Sequence, residues 1–292
     1  MFGGMEAGGT KFDCGVGNRP DDLEIAQFPT TTPAETLDKV VEFFKQHTVS
    51  AVGVASFGSV DLDISSSSYG YITSTSKPGW LNCDLVGDIN RALRVPVGFD
   101  TDVNGAVLGE PRWGAARGLK DAVYIAIGTG IDGGALVGGR VIHGLVHPEM
   151  GHLRIPHDIR DSFAGNCPYH GDCFEGLAAW PAMQARWGKP ARELPPDDPA
   201  WHIAVGLVNL TVALSRRRFL PGGGVMQQPH LFALIREEFA RLLNGYVRHR
   251  DILDGLDEYI QPPQLGGQAG VLGALVLAEK VAQRQADGGM RA

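Results

Sequence analysis

One supersecondary unit occurs twice in this chain, and its duplication limits the folds the chain can adopt. The unit is a strand, a glycine-threonine turn and a second strand. The first copy runs from Phe2 to Val16 around Ala7-Gly8-Gly9-Thr10. The second runs from Val123 to Val137 around Gly128-Thr129-Gly130-Ile131-Asp132-Gly133-Gly134. Both put Gly and Thr at a hairpin tip. A chain of 292 residues has room for two modest domains, each with a core.

The rest of the pattern alternates strands and helices, which indicates an α/β architecture. A helix starts after Thr32 as N-cap, with Pro33 at its first position, Glu35 completing a capping box, and Leu37, Val40, Val41 and Phe44 as its buried stripe. A strand at Ala51 to Ala55, a Ser- and Gly-rich loop through Tyr71, a helix near Asp84 to Leu93 and a strand from Val95 to Phe99 follow. The stretch from Val141 to Asp172 is rich in His, Pro and Gly with little periodicity, and loops of that length are functional or metal-held. Helical periodicity resumes at Phe174 to Trp187, Trp201 to Leu214, Leu231 to Val247 and Gln268 to Gln283. The expected domains are residues 1–113 with the returning helix 268–292, and residues 114–267 with a metal-binding loop at 143–175.

Composition excludes several classes. The 40 glycines fall in short clusters with no collagen-like or linker-like repeat. A net charge of −7 argues against nucleic acid or an anionic membrane as partner, and Arg216-Arg217-Arg218 reads as a solvated helix end. The chain opens without a signal-peptide pattern, and its longest apolar stretch, Val271 to Ala278, is too short to span a bilayer, so a cytoplasmic location is expected. Of four cysteines, Cys167 and Cys173 flank His170, a spacing that favours metal over disulfide. Cys14 and Cys83 read as ordinary thiols.

Three features carry chemistry. Two glycine-threonine tips and a third cluster at Gly222-Gly223-Gly224 suit a nucleoside triphosphate, because glycine lets backbone N–H groups approach phosphate oxygens and threonine adds a hydroxyl. No Walker-type Gly-Lys-Ser/Thr motif is present, which points to an actin-like or hexokinase-like cleft. The segment Phe99-Asp100-Thr101-Asp102-Val103-Asn104-Gly105-Ala106 places carboxylates at a strand exit, where one can accept a hydroxyl proton during phosphoryl transfer or can merely cap a helix. Cys167-Pro168-Tyr169-His170-Gly171-Asp172-Cys173 supplies three ligands for a structural Zn²⁺, with His143, His147, His152 and His157 as candidates for a fourth. Glu149, His152 and Glu175 are polar groups suited to sugar hydroxyls.

Together these residues resemble the ROK family of sugar kinases, its fructokinase branch most closely, over essentially the whole chain. Glu6-Ala7-Gly8-Gly9-Thr10-Lys11 looks like the first phosphate motif, Gly128 to Gly134 the second, and Leu220 to Met226 the adenosine-side motif. Tyr69 to Thr75 with Lys77-Pro78-Gly79-Trp80 resembles the sugar-side loop. His147 to His152 and Cys167 to Glu175 resemble the sugar and zinc segments. The resemblance implies an actin-like, hexokinase-like (ribonuclease H-like) two-domain fold with an interdomain active-site cleft. It implies Asp102 as base, sugar contacts from Asn104, Glu149, His152 and Glu175, and ATP contacts from Gly8, Gly9, Thr10, Lys11, Gly128, Thr129, Gly130, Gly222, Gly223 and Gly224. It further implies zinc on His152, Cys167, His170 and Cys173, Mg²⁺ with ATP, a homodimer, and transfer to the sixth hydroxyl of fructose. Mannose, glucose or another hexose is the alternative substrate, and a catalytically impaired sugar-binding paralogue a further one. ROK-type regulators carry a helix-turn-helix module, for which the sequence shows no segment. Asp132 in the second turn, Pro111 within the helix after Asn104, and Pro221 before the third glycine cluster depart from the family pattern.

Overall fold

The structure is a computed structural model describing residues 1–157, 161–188 and 197–289. Its contacts divide into two compact units. One comprises Met1–Arg117, His143–His147 and Leu265–Ala292, the other Gly118–Ile142 and Pro148–Gln264. The first contains, in order, β1 (Phe2–Ala7), β2 (Lys11–Gly17), β3 (Glu24–Pro29), α1 (Pro33–Lys45), β4 (Val52–Ser56), β5 (Ser59–Val60), β6 (Tyr71–Ser74), β7 (Cys83–Asp84), α2 (Leu85–Leu93), β8 (Val97–Thr101) and α3 (Asp102–Trp113). The second contains β9 (Ala122–Ile127), β10 (Ile131–Val137), β11 (Arg140–Val141), α4 (Phe174–Ala178), α5 (Trp180–Trp187), α6 (Asp197–Leu214), β12 (Phe219–Gly222), α7 (His230–Leu243), α8 (Arg250–Leu253) and α9 (Leu256–Tyr259). The long helix α10 (Ala269–Gly289) returns to the first unit.

In the first unit the main sheet has the order β3-β2-β1-β4-β8. β1 pairs antiparallel with β2 and parallel with β4, which pairs parallel with β8. Thr32 caps α1 by accepting the Glu35 N–H at 3.4 Å, and Leu37, Val40, Phe43 and Phe44 form its buried face. Glycines set how closely α10 packs. A Cβ at Gly53 would lie 1.8 Å from the Ala274 carbonyl oxygen, and one at Gly273 would lie 1.7 Å from that of Gly105. Backbone therefore meets backbone where α10 crosses the sheet and α3, a separation that a side chain at either position would prevent. The buried Glu110 closes the far end of α3, accepting from Ala115 N–H at 2.7 Å and Leu265 N–H at 2.9 Å. Pro111 lies inside α3, which nonetheless continues to Trp113.

The second unit repeats the hairpin topology. Its sheet has the order β11-β10-β9-β12, with β9 antiparallel to β10 and parallel to β12. The turn is shorter than the sequence reading placed it. Ile131 to Gly134 pair with β9, so Asp132 sits in a strand opposite Ala126 and only Gly128 to Gly130 form the tip. Pro221 lies in β12. The Phe219 carbonyl, two residues earlier and so on the same side, accepts from Gln261 rather than from β9. The missing Pro221 N–H thus points away from the β9 ladder, where proline costs no sheet bond.

Other boundaries differ for local reasons. The expected helix Phe174 to Trp187 is broken at Ala179, which is extended (φ −74°, ψ 159°). Pro181 disfavours continuous helix through the residues before it. The expected helix to Val247 stops at Leu243, because Asn244 and Gly245 are left-handed, with φ of 48° and 69°. The segment His143–His147, expected with the second domain, packs with the first unit.

Candidate active site

The strand-to-helix junction β8–α3 positions the first group of chemical residues. Thr101 is the N-cap, its Oγ1 accepting the Asn104 N–H at 3.2 Å. Capping is therefore done by threonine, and Asp102, the first residue of the helix, is released from that task. Its carboxylate accepts the Val103 N–H at 2.8 Å. Although Asp102 keeps part of its surface accessible, protein crowds the carboxylate, and burial raises its pKa to about 6 against the opposing effects of the Val103 N–H and His147.

Glu6, near the end of β1, is pushed further. Burial first, then the charges of Asp102 and Asp13, raise it to about 8, opposed by Lys11. Lys11 is itself engaged with Asp13 at 2.9 Å. Two neighbouring carboxyls resist ionising together, so near neutral pH Glu6 keeps its proton and Asp102 loses its own.

Behind Asp102 the buried carboxylate of Asp100 collects three donors. Oδ1 accepts from Thr101 N–H at 2.9 Å and from the Asn104 side-chain amide at 2.6 Å. His143 Nε2 lies 3.0 Å from Oδ2 and 3.1 Å from Oδ1. Hydrogen bonding to Asp100 raises the His143 pKa, against the cost of partial burial.

Both glycine-threonine tips are open, with Gly9, Thr10, Thr129 and Gly130 exposed. In the first unit, Gly8 N–H donates to the Lys11 carbonyl at 3.0 Å, and Thr30 Oγ1 donates to the Gly8 carbonyl at 2.6 Å. In the second, Gly128 N–H donates to the Gly130 carbonyl at 2.9 Å and the Gly128 carbonyl accepts from Trp180 N–H at 2.8 Å. The Glu175 carboxylate accepts the Ile131 N–H at 2.9 Å and crowds Gly130, where a Cβ would lie 2.8 Å from Glu175 Oε2. Gly224 is beside this tip, its nitrogen 3.8 Å from where a Gly128 Cβ would stand. Gly223 needs its φ of 88°, since a Cβ there would meet the Ile127 carbonyl oxygen at 2.5 Å. Asp132 turns its carboxylate onto the Gly133 N–H at 2.7 Å.

His152, Cys167, His170 and Cys173 converge, each offering a ligand atom within 4.8 Å of the others. His152 ends a short 3₁₀ turn, Met150–His152, that lies tight on β10: a Cβ at Gly151 would stand 1.7 Å from the Ile131 carbonyl oxygen. Cys167 and Gly171 exchange backbone hydrogen bonds at 3.1 and 2.9 Å, which folds the loop back on itself. His152 Nδ1 is 3.8 Å from Cys167 Sγ and 3.6 Å from Cys173 Sγ, and His170 Nδ1 is 3.7 Å from Cys167 Sγ. A tetrahedral ion with S and N bonds of about 2.3 and 2.0–2.1 Å requires S···N edges of about 3.5 Å. The cluster fits a four-coordinate metal in both donor set and spacing. Of the other histidine candidates, His143 is held by Asp100, His157 lies against Asp161 and Asp172 at 3.3 and 3.5 Å, and His147 belongs to the first unit.

Comparison with known proteins decides the family, since the ROK family profile matches residues 2–281. The chain belongs to the ROK family. Among ROK relatives, it is similar to a fructokinase of Lactococcus lactis subsp. cremoris, at 44% identity covering 90% of this chain and 91% of that protein. It is also similar to a fructokinase of Zymomonas mobilis, at 43% identity covering 95% and 96%. Among solved structures, a ROK hexokinase from Thermus thermophilus superposes with a TM-score of 0.79 at 25% identity, covering 97% of this chain and 99% of that one. The architecture is the actin-like, hexokinase-like two-domain α/β fold.

The expected site residues thus fall into two groups. Asp102 and Asn104 share the first turn of α3, in the unit that also carries Gly8, Gly9, Thr10 and Lys11. Glu149, His152, Glu175, the second tip, Gly222 to Gly224 and the metal cluster belong to the other. Sequence reasoning gave Asp100 no role of its own, read His143 only as a candidate metal ligand, and did not foresee the raised pKa of Glu6. The only sequence signals for them were the position of Glu6 before a glycine turn and of Asp100 at a strand end.

Proposed function

We propose that this protein is an ATP-dependent fructokinase that transfers the γ-phosphoryl group of Mg²⁺-ATP to the sixth hydroxyl of D-fructose. The observation that carries the chemistry is Asp102: freed from capping by Thr101, and ionised while Glu6 beside it stays protonated. The choice of fructose rests on the fructokinases at 43–44% identity over nearly the full chain, against 25% for a Streptomyces coelicolor glucokinase.

In this reading the Asp102 carboxylate accepts the proton of the sugar hydroxyl as its oxygen bonds to phosphorus. The bond between the γ-phosphorus and the bridging oxygen breaks, and ADP leaves. Asn104, Glu149, His152 and Glu175 orient the sugar. Backbone N–H groups and hydroxyls at Gly8-Gly9-Thr10, Lys11 and Gly128-Thr129-Gly130 receive phosphate oxygens, and Gly222-Gly223-Gly224 lines the adenosine side. Zinc is the metal that suits His152, Cys167, His170 and Cys173, and it would act structurally by cross-linking the loop. Because His152 turns Nδ1 to both cysteines, its Nε2 remains for a sugar hydroxyl, which reconciles its two expected roles. A cytoplasmic homodimer completes the reading. Dimerisation follows from the family resemblance, and location is consistent with no helix among the described residues being long and apolar enough to cross a membrane.

The departures at Asp132 and Pro221 favour an active enzyme over an impaired paralogue, since one carboxylate is engaged within a strand and the other residue's missing donor faces away from the β9 ladder. The test is steady-state turnover with Mg²⁺-ATP across fructose, mannose, glucose and N-acetylated hexosamines. The highest kcat/KM is expected with fructose and a 6-phosphate product. Absence of phosphorylation across the panel contradicts the proposal.

A further inference from the structure

Asn104 is 1% exposed, and its side-chain amide is only half satisfied. Nδ2 donates to Asp100 at 2.6 Å, whereas Oδ1 is buried without a hydrogen-bond partner. A buried acceptor left unpaired is costly, and such exceptions call for a ligand or a water. The orientation follows from chemistry, because a carboxylate only accepts. Facing Asp100, the amide must turn its nitrogen inward and offer its oxygen elsewhere. Asp100 is itself over-determined, since Thr101 N–H and His143 Nε2 hold the same carboxylate and fix its plane.

We infer that Asp100 is a positioning residue that locks the Asn104 amide so that Oδ1, an acceptor, meets a substrate hydroxyl, with His143 bracing Asp100 from the other side. The inference rests on the sugar-kinase reading above and deepens it by assigning direction to one hydrogen bond: the sugar donates to Asn104. It also explains why an acid stands at position 100. An amide there could keep one acceptor for Asn104 but would require His143 Nε2 to accept, whereas the carboxylate lets it donate.

The test measures hexose binding by calorimetry alongside kcat and both KM values for D100A, D100N, N104A and D100A/N104A, with thermal melts to establish folding. D100A is expected to weaken hexose binding and raise the hexose KM about tenfold, the loss of one directed hydrogen bond, with little change in the ATP KM. D100N, which retains an acceptor for Asn104, is expected to lose less. Adding D100A to N104A should cost no further hexose affinity, because a residue that acts through another is silent once that other is gone. Additive losses in the double variant overturn the assignment, as does a D100A protein that binds hexose like the wild type. Parallel losses in hexose and ATP parameters, tracking a lowered melting temperature, also overturn it. A wild-type protein that binds no hexose at all overturns the functional reading and this assignment together. Wild-type binding with an unaffected D100A overturns this assignment alone.

Discussion

Replacing Asp102 by Asn should stabilise the protein near neutral pH while removing its chemistry. The sign follows from the raised pKa. In the folded state Asp102 titrates near 6, above its ordinary 3.8, so the fold binds its proton more tightly than the unfolded chain does. The stability this confers is fully present below the unfolded value and is lost as pH rises from about 3.8 through about 6. Above that window the ionised carboxylate costs the fold up to about 3 kcal/mol at ~1.4 kcal/mol per unit, which partial access to water reduces to about 1–3 kcal/mol. An amide of the same shape escapes the cost. For a chain of this size it should raise the melting temperature at pH 7.5 by about 2–5 °C, and less at pH 4.5. Calorimetric melts of both proteins from pH 4 to 8 give the result directly. A variant that melts lower than the wild type at pH 7.5, or a difference that does not grow with pH, would refute the claim that Asp102 is held as a desolvated base.

Other consequences follow from the same geometry. The pH profile of kcat/KM should rise through about 6 as Asp102 ionises and flatten above it, since a base works only when deprotonated. Gly273→Ala places a Cβ 1.7 Å from the Gly105 carbonyl oxygen and should destabilise the first unit by about 1–3 kcal/mol or more in urea unfolding. Cys173→Ser should lower bound zinc per chain, read by elemental analysis, together with the melting temperature; unchanged metal content would remove that residue from the ligand set. Glu175→Ala should raise the KM for ATP by releasing the Ile131 N–H that steadies the second tip, whereas Glu175→Gln, which keeps an acceptor, should raise it less.

What the sequence disclosed was what local chemistry specifies. The two Gly-Thr turns between strands, Thr32 before Pro33 at a helix start, and three of the four candidate metal ligands within seven residues are all local patterns, so all were readable along the chain. What it concealed arises where distant segments meet. The choice of His152 over three other histidines comes from a glycine that lets its turn lie on β10. His143 joins the first unit because it finds Asp100, forty-three positions away. Glu6 is raised because β1 and α3 bring it near Asp102 inside a crowded interior, and no spacing rule encodes that crowding. Asp102 itself was ambiguous in sequence because aspartate also caps helices, and the Thr101–Asn104 hydrogen bond shows that threonine does the capping here.

The central claim is that Asp102 is the base in phosphoryl transfer to a hexose bound by its neighbours. The decisive measurement is kcat for fructose with saturating Mg²⁺-ATP in wild-type and D102N protein, beside fructose binding by calorimetry. The account predicts a kcat lowered by about 10²–10⁴-fold with the fructose Kd changed only a few-fold. A D102N enzyme that turns over fructose at a rate near the wild type would contradict it.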